Sequence, residues 1–206
     1  MNETVATIIG ILALLGVCAI PVVIFRLVQR SNERALAAVD AWARTKGLDG
    51  TKASAAGGVH PSVRVLNFVR GRDLVSLAVQ VSSRFRYFII YVQPHELRLP
   101  ALGLQRRMMG GGGEPLGDPA LDDHYRLLHG GAPALALLRA PEVYETLAHA
   151  HSEVQTLYVH KGVLILTFHY HESIDPSAWD DAWDLTTRLL AAGEQISARG
   201  RAGVTV

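Results

Sequence analysis

Cysteine, charge and catalytic signatures are what this 206-residue chain has least of. Cys18 is the only cysteine, so no intrachain disulfide forms and no thiolate zinc site can be built. That scarcity mildly favours a cytoplasmic setting. No Gly-x-Ser-x-Gly elbow is present, and Cys18 sits inside an apolar run, which leaves no activated nucleophile. Four consecutive glycines at 110–113 are not followed by Gly-Lys-Ser/Thr, and no helix is expected to start there, so a phosphate loop is excluded. No His-Glu-x-x-His spacing occurs. Charged residues make up 19% of the chain and apolar ones 49%, which places it among globular rather than disordered proteins.

The net charge of +1 hides an asymmetry. Residues 26–107 hold 14 Lys/Arg against 5 Asp/Glu, and residues 108–206 hold 6 against 13. The half nearer the N-terminus is basic and the distal half acidic. A basic half beside an anionic bilayer gains about 1 kcal/mol for each Lys or Arg near the surface. An anionic-lipid binding module is therefore one reading of the chain.

What the sequence does contain is a long uncharged run at 5–25, VATIIGILALLGVCAIPVVIF. At 1.5 Å per residue its 21 residues span the roughly 30 Å hydrocarbon core. A cleaved signal peptide needs a basic start and a shorter core, and the chain opens Met-Asn-Glu. Val17 before Cys18 does not fit a lipoprotein signal. The run is expected to be a membrane anchor over residues 1–29, with Val5, Ile9, Leu12, Cys18, Pro21 and Phe25 along it. Pro21 predicts a bend. Ala6, Gly10 and Ala13 share one helical face, as small residues do where helices approach closely, although ordinary transmembrane composition explains them too. Glu3 precedes the run, and Arg26, Arg30 and Arg34 follow it. The positive-inside rule then predicts an outside N-terminus and a cytoplasmic C-terminal domain, on a bacterial inner membrane.

Residues 30–48 predict a juxtamembrane helix with Leu36, Val39, Trp42 and Ala43 on one stripe and Gly47 as its C-cap. A small-residue linker is expected at 49–58 and a soluble α+β domain at 59–198. Period-two alternation starts at Val63 and predicts strands at 63–70, 74–81, 84–93 and 95–104, joined as an antiparallel meander. A flexible loop is expected at 105–119, then a strand at 122–128. Two helices follow at 132–151, the second opened by Pro141. A hairpin turns at Lys161-Gly162. An amphipathic helix at 177–198 closes the domain, burying Trp179, Trp183, Thr186, Leu189 and Leu190. Asp180, Asp181 and Asp184 read as its early-turn charges. Residues 199–206 are expected to be a frayed tail. The fold class predicted is α+β, an antiparallel sheet with helices packed on one face.

Chemistry-bearing groups are sparse. His169 and His171 lie two apart at a strand end, so both face one side and suit a shared metal ion, with Glu172, His160 or His149 as a third ligand. The plainer reading is two polar residues where the strand meets solvent. Asp118, Asp122 and Asp123 read as turn and strand-entry residues rather than paired acids. Arg64, Arg70, Arg72, Arg84 and Arg86, with Phe85 and Tyr87, suggest a basic sheet face for a phosphate-bearing partner. They fit equally a sheet with one wet side. No catalytic residue, cofactor, nucleic-acid partner or small-molecule substrate is assigned on these grounds.

The segment Gly117-Asp118-Pro119-Ala120-Leu121-Asp122 resembles a Thr-Gly-Asp-Pro-x-Phe-Asp pattern of uncharacterised bacterial membrane-anchored proteins. Leu116 stands for the Thr and Leu121 for the Phe. Lys46-Gly47-Leu48, Gly71-Arg72, Leu137-Leu138 and Pro141 fit the same layout across 35–196. The resemblance implies an α+β organisation and no activity. The function expected is a membrane-tethered interaction or scaffolding domain, an accessory subunit whose partners are the bilayer and a membrane-protein complex. A metal-dependent enzyme on His169 and His171 is the alternative.

Overall fold

A computed structural model describes residues 23, 25–27, 29–31, 33–51, 63–81, 86–107, 112–150, 153–171 and 174–202. Among the described residues, eight antiparallel strands form one sheet: β1 Asp49–Thr51, β2 Val63–Arg70, β3 Asp73–Val81, β4 Arg86–Gln93, β5 Leu102–Arg106, β6 Tyr125–His129, β7 Val154–His160 and β8 Val163–His169. The helices are α1 (33–45), α2 Pro119–Asp122, α3 Ala132–Leu138, α4 Pro141–His149 and α5 Pro176–Ala202. The strands run across the sheet in the order β1-β2-β3-β4-β8-β7-β5-β6.

Turn chemistry sets the hairpins. Lys161 and Gly162 both have positive φ, 51° and 79°, which matches the right-handed twist of the flanking β7 and β8. Gly71, at φ 63°, does the same between β2 and β3. α1 ends as expected at Gly47, φ 71°, where the Leu48 N–H donates to the Ala43 carbonyl at 3.1 Å. α5 starts on Asp175, whose carboxylate accepts the Ala178 N–H at 3.2 Å, with Pro176 in the first turn.

One core lies between the sheet and its helices. Alternate residues of the central strands point into it: Phe88, Ile90 and Val92 from β4, Leu164, Leu166 and Phe168 from β8. α1 contributes Ala35, Leu36, Val39, Trp42 and Ala43, and α5 contributes Trp179, Trp183, Leu185, Thr186 and Leu189, all buried. Trp42, Phe88 and Trp179 meet with ring centroids 5.6–6.0 Å apart. The Thr186 hydroxyl is satisfied by the Ala182 carbonyl at 2.8 Å.

Several expectations change. The four-strand meander does not hold, because the β8-β7 hairpin inserts between β4 and β5. Residues 95–100 are not strand, since Pro94 and Pro100 bracket them, and β5 begins only at Leu102. The linker at 49–58 loses its first three residues to β1, which pairs with β2. The helix predicted at 30–48 packs into the core through Ala35, Leu36, Val39, Trp42 and Ala43. The tail shortens, because α5 continues to Ala202. Gln105 and Arg106 belong to β5, and a short helix, α2, does open at Pro119.

Val5, Ile9, Leu12, Cys18 and Pro21 lie outside the described residues. Among the described residues, no helix is long and apolar enough to cross a membrane. Every described residue from 23 to 45 is helical. Val23, Phe25 and Leu27 are exposed, and so are Arg26, Arg30 and Arg34.

Candidate functional site

The described helices gather on one side of the sheet, where α3, α4 and α5 touch one another and α5 touches β4 and β8. No described helix packs on the other side. Cross-strand register builds that open face in rows. One row runs Asn67, Ser76, Tyr91, Ile165, Tyr158, Gly103, His129. A second runs Val65, Ala78, Ile89, Thr167, Thr156, Gln105, Arg126. Tyr87 and His169 sit opposite each other in a third.

Charge is missing from this face. Strands β2, β3, β4, β8, β7 and β5 place no Asp, Glu, Lys or Arg on it. Formal charge returns only at the two edges, Asp49 on β1 and Arg126 on β6. Water-facing sheet surfaces ordinarily carry charge. Interface cores lose it and gain tyrosine. Most of these side chains are half-buried by their neighbours in the sheet, and Leu74 is 54% exposed.

Aromatic pairs stiffen the face. His129 stacks on Tyr158 at 6.0 Å between centroids, and Tyr87 meets His169 edge-on at 5.8 Å. Gly103 makes the first pair possible, because a Cβ there would lie 2.3 Å from His129 Nδ1. A side chain at Gly103 must push the ring off Tyr158. Gly103→Val should therefore move the His129 ring resonances, as seen by NMR, with little change in melting temperature because the exposed ring can swing into solvent. An unshifted His129 would contradict this placement. No local pattern in the sequence marks Gly103, since only the pairing of β5 with β6 and β7 reveals its role.

His169 and His171 come together as expected, with ring centroids 4.8 Å apart. Neither His160 nor His149 joins them. His160 is at the far end of β8's partner strand, and His149 ends α4 on the surface. Glu172 lies outside the described residues. Among the described residues, no group of three metal-ligating side chains forms. Burial, then the neighbouring His171, then Arg106 hold the His169 imidazole below its usual pKa. The folded state then binds fewer protons than the unfolded one below about pH 6.5, so acid favours unfolding. Stability should be level above that pH and fall beneath it, and His169→Gln should flatten the fall in melting curves taken across the range.

The Gly117–Asp122 segment proves to be a self-satisfied loop. Gly117 has φ 74°. Asp118 caps α2, accepting the N–H groups of Ala120 and Leu121 at 3.0 and 3.2 Å, and the Tyr144 hydroxyl donates to it at 3.3 Å. Asp122 accepts the N–H groups of Leu116 at 2.5 Å and Gly117 at 3.1 Å. Leu121 is buried. Asp118 and Asp122 are thus occupied by backbone, and Asp122 closes the loop rather than entering a strand.

The arginines do not assemble on the open face. Arg86 belongs to the covered side and donates to the His171 carbonyl. Arg70 lies over the Trp183 ring at 5.3 Å. Arg72 pairs with Glu96 at 3.2 Å beside an open cleft of about 380 Å3, whose floor includes Leu97 and Leu190. The side chains of Arg64 and Arg84, and Phe85, lie outside the described residues. Tyr87 is on the open face.

Asp180 has a role the sequence did not disclose. It accepts Trp42 Nε1 at 2.7 Å and Lys46 Nζ at 2.8 Å, tying α5 to α1 across 138 residues. The Lys46 and Trp42 hydrogen bonds hold its carboxyl below the usual range against the opposing effect of burial. Asp184 pairs with Arg188 at 2.6 Å. Compared with known protein families, with curated proteins and with solved structures, the chain matches none.

Proposed function

We propose that the chain is a membrane-tethered interaction domain that presents its open sheet face to a protein partner. It acts as an accessory or scaffolding subunit of a bacterial inner-membrane assembly. The observation that carries this reading is the uncharged, tyrosine- and histidine-bearing face across six adjacent strands. A partner buries such a face without stripping water from unpaired ions.

Tethering is supported by the apolar run at 5–25 and by the exposed Val23, Phe25 and Leu27 at its end. Arg26, Arg30 and Arg34 support a cytoplasmic domain with an outside N-terminus. The resemblance carried by Gly117–Asp122 agrees with membrane anchoring. Extraction in mild detergent followed by pull-down tests the reading. A partner complex should co-purify with the wild type and be lost from Thr167→Asp. A monodisperse monomer with nothing bound would count against it.

A second reading rests on the 4.8 Å approach of His169 and His171. A divalent metal held by this pair would need a further ligand from outside the described residues. Elemental content unchanged by replacing both histidines with alanine would remove it.

A further inference from the structure

We propose that the partner of the open face is a second copy of this chain, packed sheet to sheet about a two-fold axis running parallel to the strands between β4 and β8. The inference rests on the interaction-face reading above and names its occupant.

Two observations favour self-association. First, a face without formal charge suits a copy of itself, because nothing in its centre repels its own image or is left unpaired on burial. Second, the rows complement themselves under that axis. The first row is centred on the β4–β8 boundary, so Tyr91 meets the partner's Ile165, Ser76 meets the partner's Tyr158, and Asn67 meets the partner's Gly103. In the second row Ile89 meets the partner's Thr167, and Ala78 the partner's Thr156. Tyr158 thus faces a serine and Ile89 a threonine, which lets side chains of two sheets interdigitate across about 10 Å.

The area suffices. With strands roughly 4.8 Å apart and residues about 3.3 Å apart, the face measures roughly 34 Å by about 20 Å. That is roughly 700 Å2 per copy, inside the roughly 600–1,000 Å2 that each partner gives to a standard interface. Two chains held in one membrane by their anchors also meet at high effective concentration.

The test uses the full chain in mild detergent, with its protein mass measured by light scattering. Twice the 22.3 kDa chain mass is expected. Ile165→Glu should return it to a single chain. The three tryptophans, all in the core cluster, report by their emission that the variant stays folded. In a Cys18→Ser background, Tyr91→Cys should give a homodimer with a short bis-maleimide, while Glu142→Cys on the helix side should not. A single-chain mass with no Tyr91→Cys homodimer overturns the proposal. In that case a photo-crosslinker at Tyr158 that captures a different polypeptide leaves the interaction face standing, and one that captures nothing removes both.

Discussion

Trp179→Ala is expected to lower stability by about 3–5 kcal/mol, a large share of the roughly 5–15 kcal/mol that holds an ordinary domain. Trp179 is fully buried. Its ring meets Phe88 at 5.7 Å, Trp42 at 6.0 Å and Tyr170 at 6.4 Å. Truncation removes the surface on which α1 and the sheet both pack. Trp42 then keeps its edge contacts with Phe88 and Trp183, its hydrogen bond to Asp180 and the Lys46 ammonium over its ring. α1 should become the first element to open, visible as faster amide exchange at 35–43. Trp179→Phe should cost much less, because Trp179 Nε1 has no hydrogen-bond partner among the described residues. Equal losses for the two variants, read from circular dichroism during denaturation, would refute the packing account.

Asp122→Ala should cost about 1.5–3 kcal/mol, the scale for hydrogen bonds to a charged group. The carboxylate holds the Leu116 and Gly117 N–H groups and lies 3.9 Å from Arg126, with both side chains about one-fifth exposed. Arg139 holds the same turn from the other side by donating to the Leu116 carbonyl at 2.7 Å. Losing Asp122 leaves the Leu116 and Gly117 N–H groups without their acceptor, while Arg126 keeps its hydrogen bonds to the Asp122 and Tyr125 carbonyls. Asp123→Ala next to it, which has no such backbone contact among the described hydrogen bonds, should be near neutral by the same denaturation assay. A role for Asp122 in chemistry rather than loop closure would show the reverse pattern: stability kept and a function lost.

Those two residues also mark how far the sequence could be read. Local patterns were legible where local forces decide. Val63–Arg70 and Arg86–Gln93 alternate strictly, the Lys161-Gly162 turn fixes its hairpin, and the Trp179, Trp183, Thr186 stripe marks the buried face of α5. Gly117-Asp118-Pro119 read correctly as turn chemistry. Long-range pairing was not legible. The β8-β7 hairpin enters beside β4 some seventy residues after it in the chain, and no local signal states which edge a hairpin will seek. β1 is Asp-Gly-Thr, a turn-like tripeptide made a strand by β2 alone. Asp180 looked like a helix-start charge because Trp42 and Lys46 are distant in sequence.

The candidate site suffered from the same blindness. Tyr91, Ile165, Tyr158, Gly103 and His129 come from five separate strands and become one row only through register. The histidine pair drew notice because its members are adjacent in the chain. The absence of charge on one face is likewise a property of the assembled sheet. A sequence count of 19% charged residues says nothing of where they are not.

Photo-crosslinking in native membranes is the most direct test of the central claim that the open sheet face meets a protein partner. A photoreactive residue at Tyr158 should give a discrete protein adduct, and one at Glu142 on the exposed side of α4 should give none. Adducts from Glu142 with none from Tyr158 would contradict the account.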